Sequence, residues 1–145
     1  MEISDILVPI DFSNPSLKPL EYALSMVSAE GEVYLLHVID TDFVEKIEQN
    51  ELNTKDVVIE KLRQRAENEL DKIIAAHAES EKKLNKMVVV GIPFVEILRI
   101  ANDLDFSLIA MGIRGKPNPI KEIFFGSTVD RVLRATRIPV VCVPQ

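Results

Sequence analysis

Three of the chain's five glycines, Gly112, Gly115 and Gly126, fall in one short segment, and Gly126 is followed by Ser127 and Thr128. Glycine permits positive φ and lets the backbone approach a ligand closely. A helix starting at Ser127 would turn unsatisfied N–H groups and the positive end of its dipole toward whatever lies in front of it. The two hydroxyls add donors at the same point. These are the parts of a phosphate site, and they equally suit an ordinary capped helix start. Charge favours the first reading. Between Gly112 and Arg137 the basic residues are Arg114, Lys116, Lys121, Arg131, Arg134 and Arg137, against Glu122 and Asp130, in a chain of net charge -6. A basic segment in an acidic protein suits an anion. For Arg131, Arg134 and Arg137 the competing reading is a solvated helix face.

Other residues carry weaker signals. Asp11 directly follows the apolar run from Ile3 to Ile10. It could accept a hydrogen bond from a sugar or base, or cap the turn before Phe12 and Ser13. His37 sits inside an apolar run and reads as a satisfied core histidine, while His77, on the long helix, reads as a surface or boundary residue. Cys142 lies in Val140-Val141-Cys142-Val143 and reads as a small hydrophobe, because a lone thiol cannot form an intrachain disulfide. No lysine stands in a P-loop pattern, no paired carboxylates flank the glycines, and there is no Ser-His-Asp set or metal cluster. No catalytic or metal-binding residue is therefore expected, although Asp40 and Asp42 could assist a Mg²⁺ ion.

Composition narrows the classes further. At net charge -6, little is gained from counterion release, which disfavours DNA and RNA as partners. No apolar run reaches the roughly 20 residues that span a bilayer. The start, Met1 to Asp5, lacks the basic residues of a signal peptide, so a cytoplasmic location is expected, with no membrane partner.

The elements that must position these residues follow from periodicity. Strands are expected at Ile3 to Ile10, Val33 to Ile39, Met87 to Val90, Ser107 to Met111 and Pro139 to Val143. Ser13 or Asn14 should cap a helix through Leu17, Leu20, Leu24 and Val27 that ends at Gly31. A short helix fits Phe43 to Glu51. A long one carries Val58, Leu62, Ala66, Leu70, Ile73 and His77 on one stripe. Pro93 opens another, and Ser127 to Ala135 is the last. Strands alternating with helices predict an α/β fold with a parallel sheet covered on both faces. The 145 residues fit one domain. In such sheets ligands bind beyond the carboxyl ends of the strands. That directs attention to Pro9 to Asp11, Val38 to Asp40, Gly91-Ile92 and Met111 onward.

With the pieces in order, the chain resembles the universal stress protein family, in the subgroup that carries an ATP-binding motif. Gly112-x-x-Gly115, a loop, then Gly126-Ser127 is similar to that family's ATP signature. Ile6 to Ser13 looks like its first strand and Asp; Leu35 to Asp40 like the second strand; Val90 to Pro93 and Ile109 to Gly112 like the third and fourth; Pro139 to Val143 like the fifth. The loop from Lys116 to Phe125 is ten residues, slightly longer than the family's usual spacing, and Pro117-Asn118-Pro119 stiffens it.

The resemblance covers residues 1–145 as one domain. It implies a doubly wound, Rossmann-like, open five-stranded parallel sheet. It implies a stress-response regulator that binds ATP, with Mg²⁺ as a possible companion, and hydrolyses it slowly if at all. Asp11 would meet the ribose or adenine, the Val38 backbone the adenine edge, and Pro9 and Ile10 would pack nearby. Met111 and Gly112 would line the ribose side. Arg114, Gly115, Gly126, Ser127 and Thr128 would hold phosphates. It also implies a homodimer through Pro139 to Val143. The competing reading is a family member that binds no nucleotide and serves as a dimeric interaction module.

Overall fold

The computed structural model describes residues 2–12, 17–50, 54–113 and 126–144. Five parallel strands form one sheet in the order β3-β2-β1-β4-β5. They are β1 (Asp5–Pro9), β2 (Glu32–Asp40), β3 (Lys83–Gly91), β4 (Leu108–Ile113) and β5 (Val140–Pro144). Between them run α1 (Lys18–Met26), α2 (Thr41–Asn50), α3 (Lys55–Ala76), α4 (Pro93–Asp103) and α5 (Ser127–Ala135).

The central strand shows why its sequence is apolar throughout. Ile6, Leu7 and Val8 are all fully buried. Side chains alternate across a strand, so Ile6 and Val8 pack on one face with Leu20, Ala23 and Leu70 of α1 and α3. Leu7 packs on the other with Ile97, Ile100, Val129 and Val132 of α4 and α5. A third cluster, Ile39, Val44 and Val58, fastens α2 to α3 and to the end of β2.

Several boundaries differ from expectation, each for a local reason. The proposed cap of α1 at Ser13 or Asn14 falls outside the described residues; Pro19 stands in its first turn, where a missing N–H costs nothing. The helix ends at Met26 rather than at Gly31, because Val27 turns to extended backbone while its N–H still reaches Ala23 O. Gly31 has a packing role instead. A Cβ there would stand 2.2 Å from the carbonyl oxygen of Ser4, so only glycine lets β1 and β2 begin side by side.

Strand β3 starts four residues before the expected Met87. Its polar half is an edge whose charges are answered: Lys83 pairs with Glu32 at 2.8 Å, and Lys86 with Glu67 and Asp71 at 2.7 Å each. At the other end of the fold, β4 runs on to Ile113, which draws Gly112 into the strand. The long helix keeps its stripe, with Val58, Ala66 and Leu70 buried. His77 closes it, its Nδ1 donating to the Ile73 carbonyl at 2.7 Å.

Candidate functional site

Strand order reverses beside β1, which lies between β2 and β4, and the ladders there have unequal lengths. The β1–β4 pairing covers only Ile6↔Leu108 and Leu7↔Ile109, although β1 continues to Pro9 and β4 to Ile113. Beyond Leu7 the strands part. Strand β2 also outruns β1: its pairing with β1 stops at Pro9↔Leu36, while its pairing with β3 continues to Asp40↔Gly91. The result is a crevice at the carboxyl end of β1, the place where doubly wound sheets bind ligands.

The direction of the main chain in this crevice follows from pairing. The Leu36 carbonyl accepts from Ile10 N at 2.7 Å, so it faces β1. Residues two apart on a strand face the same way. Val38 therefore turns its N–H and C=O toward the side on which β1 has already ended. On β4, Ile109 N donates to Pro139 O beside β5. The alternate residues Ala110 and Gly112 thus face the β1 side. A donor and an acceptor on Val38, with Gly112 opposite, make a recognition edge built of backbone.

The cleft has a volume of about 640 Å³. Nine of the residues singled out from sequence line it: Pro9, Ile10, Asp11, Val38, Met111, Gly112, Gly126, Ser127 and Thr128. Arg114 and Gly115 lie outside the described residues. Pro9, Val38 and Met111 continue the α4/α5 side of the sheet, where Val38 and Met111 join the apolar cluster. The exit of β1 is held by β2. His37 Nδ1 donates to Ile10 O at 2.9 Å, and its ring lies 4.4 Å from that of Phe12. That satisfied histidine is the role expected of it, and it fixes the turn that brings Asp11 to the rim.

Helix α5 opens onto the same cleft. Its N-cap, Gly126, has φ 107 and ψ 146 and supplies no side-chain cap. This region of conformation is essentially reserved for glycine. Among the described residues a Cβ on Gly126 would meet no atom within 4 Å, so none of them fills the space in front of the helix. The first-turn N–H groups of Ser127 to Val129 thus face the cleft without a side-chain cap, next to two hydroxyls. The acceptor they suit is an oxyanion. Asp130, also in the first turn, offsets part of the dipole's field. Arg131 stacks its guanidinium 5.2 Å over the Phe94 ring, a packing role that differs from both the solvated face and the anion contact weighed for it.

The acidic residues near the cleft have structural work. Asp40 Oδ1 accepts from Asp42 N at 2.9 Å and so caps α2. Among the described residues no group of three or more His, Cys, Asp or Glu could hold a metal. A Mg²⁺ ion that arrives with a polyphosphate needs only one or two carboxylates, and Asp11 and Asp40, both on the cleft wall, could supply them. Cys142 pairs with the cleft residue Met111 across the β4–β5 ladder but is not itself among the lining residues, and burial pushes its thiol up from the ordinary value.

Sequence reading missed the wall contributed by α2 and α3. Phe43, Leu62, Arg65 and Ala66 line the cleft, and so do Pro93 and Ile97 from α4. For Leu62 and Ala66 the helical stripe gave no hint, since the same spacing serves the core. For Phe43 a signal existed: an aromatic residue in the first turn of a helix that begins where β2 ends.

Comparison with known proteins agrees with the geometry. The model of the universal stress protein family matches residues 2–144. The universal stress protein MJ0577 of Methanocaldococcus jannaschii is 34% identical, over 97% of this chain and 94% of its own length. The solved structure of MJ0577 superposes with a TM-score of 0.82 at 32% identity, covering 100% of this chain and 98% of the other. A universal stress protein from Archaeoglobus fulgidus, solved in complex with dAMP, shares the fold at a TM-score of 0.62 and 21% identity, covering 98% of each chain. No helix among the described residues is long and apolar enough to cross a membrane.

Proposed function

The chain belongs to the universal stress protein family, and from that premise we propose that it is a stress-response regulator that binds an adenine nucleotide, ATP, in the crevice beside β1. The observation that carries this reading is the parting of β1 from β4 beyond Leu7 and Ile109. It gathers nine residues from four separate stretches of sequence around one cleft that ends at an open helix N-terminus.

The roles follow the chemistry of each group. The backbone of Val38 pairs with the edge of the base, with Pro9, Ile10 and Met111 packing around it. Asp11 accepts from a ribose hydroxyl, and Gly112 leaves room for the sugar. Gly126, Ser127 and Thr128 hold phosphate oxygens by N–H groups and hydroxyls. Arg114 and Gly115 follow β4 in sequence and are assigned to the phosphates by their motif. Bound Mg²⁺ would neutralise part of the phosphate charge. Relatives of the same fold solved with dAMP and with cAMP support an adenine ligand. On this reading the protein acts by binding, and any hydrolysis is slow.

The same reading includes a homodimer. Strand β5 is the edge of the sheet, and an unpaired apolar edge invites a partner. The direct experiment is to denature the purified protein and identify any released nucleotide, then titrate the nucleotide-free protein with Mg-ATP by calorimetry. Released adenine nucleotide, or saturable binding, supports the proposal. No nucleotide and no heat of binding would overturn it in favour of a dimeric interaction module.

A further inference from the structure

Seven large apolar side chains stand exposed among the described residues: Tyr22, Phe43, Val57, Ile92, Val95, Leu104 and Leu133. Only Phe43 of these also lines the cleft. Its exposure is 52%, whereas the next residue, Val44, is fully buried. Val44 packs with Ile39 and Val58, and Asp40 caps the helix start. The first turn of α2 is thus anchored, and Phe43 is held at the cleft with about half of its surface exposed. An apolar ring in water is a loss that a protein offsets only when something covers it.

The neighbourhood names the cover. Val38, whose backbone presents a donor and an acceptor, lies two residues before the cap of α2. A planar base held by its edge at Val38 turns its faces toward the walls of the cleft. Pro9 and Met111 give the cleft an aliphatic wall, and α2 adds Phe43 to the lining. We propose that Phe43 is the outer wall of the base site and stacks on the bound purine. The inference rests on the nucleotide reading above and deepens it. Selection for the base then comes from two sources. The backbone of Val38 reads its edge, and the aromatic ring at residue 43 rewards a large π-face, favouring purines over pyrimidines and over ligands that offer phosphate alone.

The test is calorimetry of wild type, Phe43→Ala and Phe43→Tyr with ATP and with inorganic tripolyphosphate. Stacking on an aromatic side chain is lost on alanine substitution at a cost of roughly five- to a hundredfold in affinity. Phe43→Ala should therefore weaken ATP binding within that span and leave tripolyphosphate unchanged, while Phe43→Tyr binds ATP as wild type does. In proton NMR the adenine H2 and H8 resonances should move upfield on binding wild type, and much less on binding Phe43→Ala. Since the side chain is half-exposed, the variant should fold, and circular dichroism checks this. Wild-type binding of ATP that is indifferent to Phe43→Ala overturns the stacking alone. An equal loss for tripolyphosphate also overturns it, by showing a general disturbance of the cleft. Failure of wild type to bind ATP sinks the nucleotide reading, and the stacking with it.

Discussion

Replacing Gly126 by alanine separates two effects that usually come together. The position has φ 107 and ψ 146, and among the described residues an added Cβ meets nothing within 4 Å. None of those residues opposes the side chain sterically, and the penalty is backbone strain. Holding a non-glycine residue in such a region costs about 1–3 kcal/mol. For a chain of this size each kcal/mol lowers Tm by about 2–4 °C, so the expected fall is about 2–12 °C. The alternative is that the N-cap rotates to a relaxed conformation. That would re-aim the first-turn N–H groups of α5, and ATP affinity should fall by tenfold or more, the value of about one hydrogen bond to a charged group. Gly126→Val should do worse, since its branched side chain enters the open space that phosphates would occupy. Ser127→Ala removes one hydroxyl donor without strain. It should keep Tm near wild type and weaken ATP by about tenfold or more, from a loss of about 1.5–3 kcal/mol. Scanning calorimetry gives Tm and titration calorimetry gives affinity on the same samples. A Gly126→Ala protein with unchanged Tm and unchanged ATP affinity would refute both the strain argument and the position of the phosphate site.

Three further outcomes are expected. The Lys83 ammonium, then the Tyr34 hydroxyl, hold the Glu32 carboxyl below its ordinary 4.5. Wild type should therefore lose stability relative to Glu32→Gln as pH drops below about 4.5, and denaturant midpoints at pH 7 and pH 3 would reveal it; an equal gap at both would discount the pairing. The partner effect runs the other way: Lys83 is raised above its ordinary 10.5 by Glu32, so its share is present at neutral pH and vanishes only as pH climbs past that value. Light scattering across micromolar concentrations should give a dimer, and a monomer throughout would contradict pairing through β5. Steady-state ATP hydrolysis should run far below the enzyme median of about 10 s⁻¹; turnover near that median, lost on Ser127→Ala, would require an activating group not recognised here.

How much of this was legible depended on whether one residue's neighbours in sequence were also its neighbours in space. Ile6 to Val8 and Leu35-Leu36 read as buried strands because covered parallel strands are apolar on both sides. Gly126-Ser127-Thr128 read as a helix start because the cause is local. The first half of β3 was hidden because Lys83 and Lys86 look like a loop until Glu32, Glu67 and Asp71 arrive from elsewhere. Gly31 resembled a helix stop because nothing near it in sequence announces the Ser4 carbonyl that excludes a side chain. The same limit hid Leu62 and Arg65, which line the cleft only once α3 has packed beside the end of β2.

The early end of the β1–β4 ladder has a consequence for how this protein can vary. Past Leu7 and Ile109, the groups offered to a ligand by Val38 and Gly112 belong to the main chain, which every residue except proline supplies alike. Recognition of this sort is silent in the sequence. Val38→Ile or Val38→Leu would leave the recognition edge in place, and a saturation scan would register the position through packing and through proline. Two homologues could thus share a ligand while agreeing on few of the side chains around it, and two that agree on most could differ in ligand because one strand is a residue longer. On this reading the length of pairing between β1 and β4 bears on the ligand as directly as the identity of the side chains does.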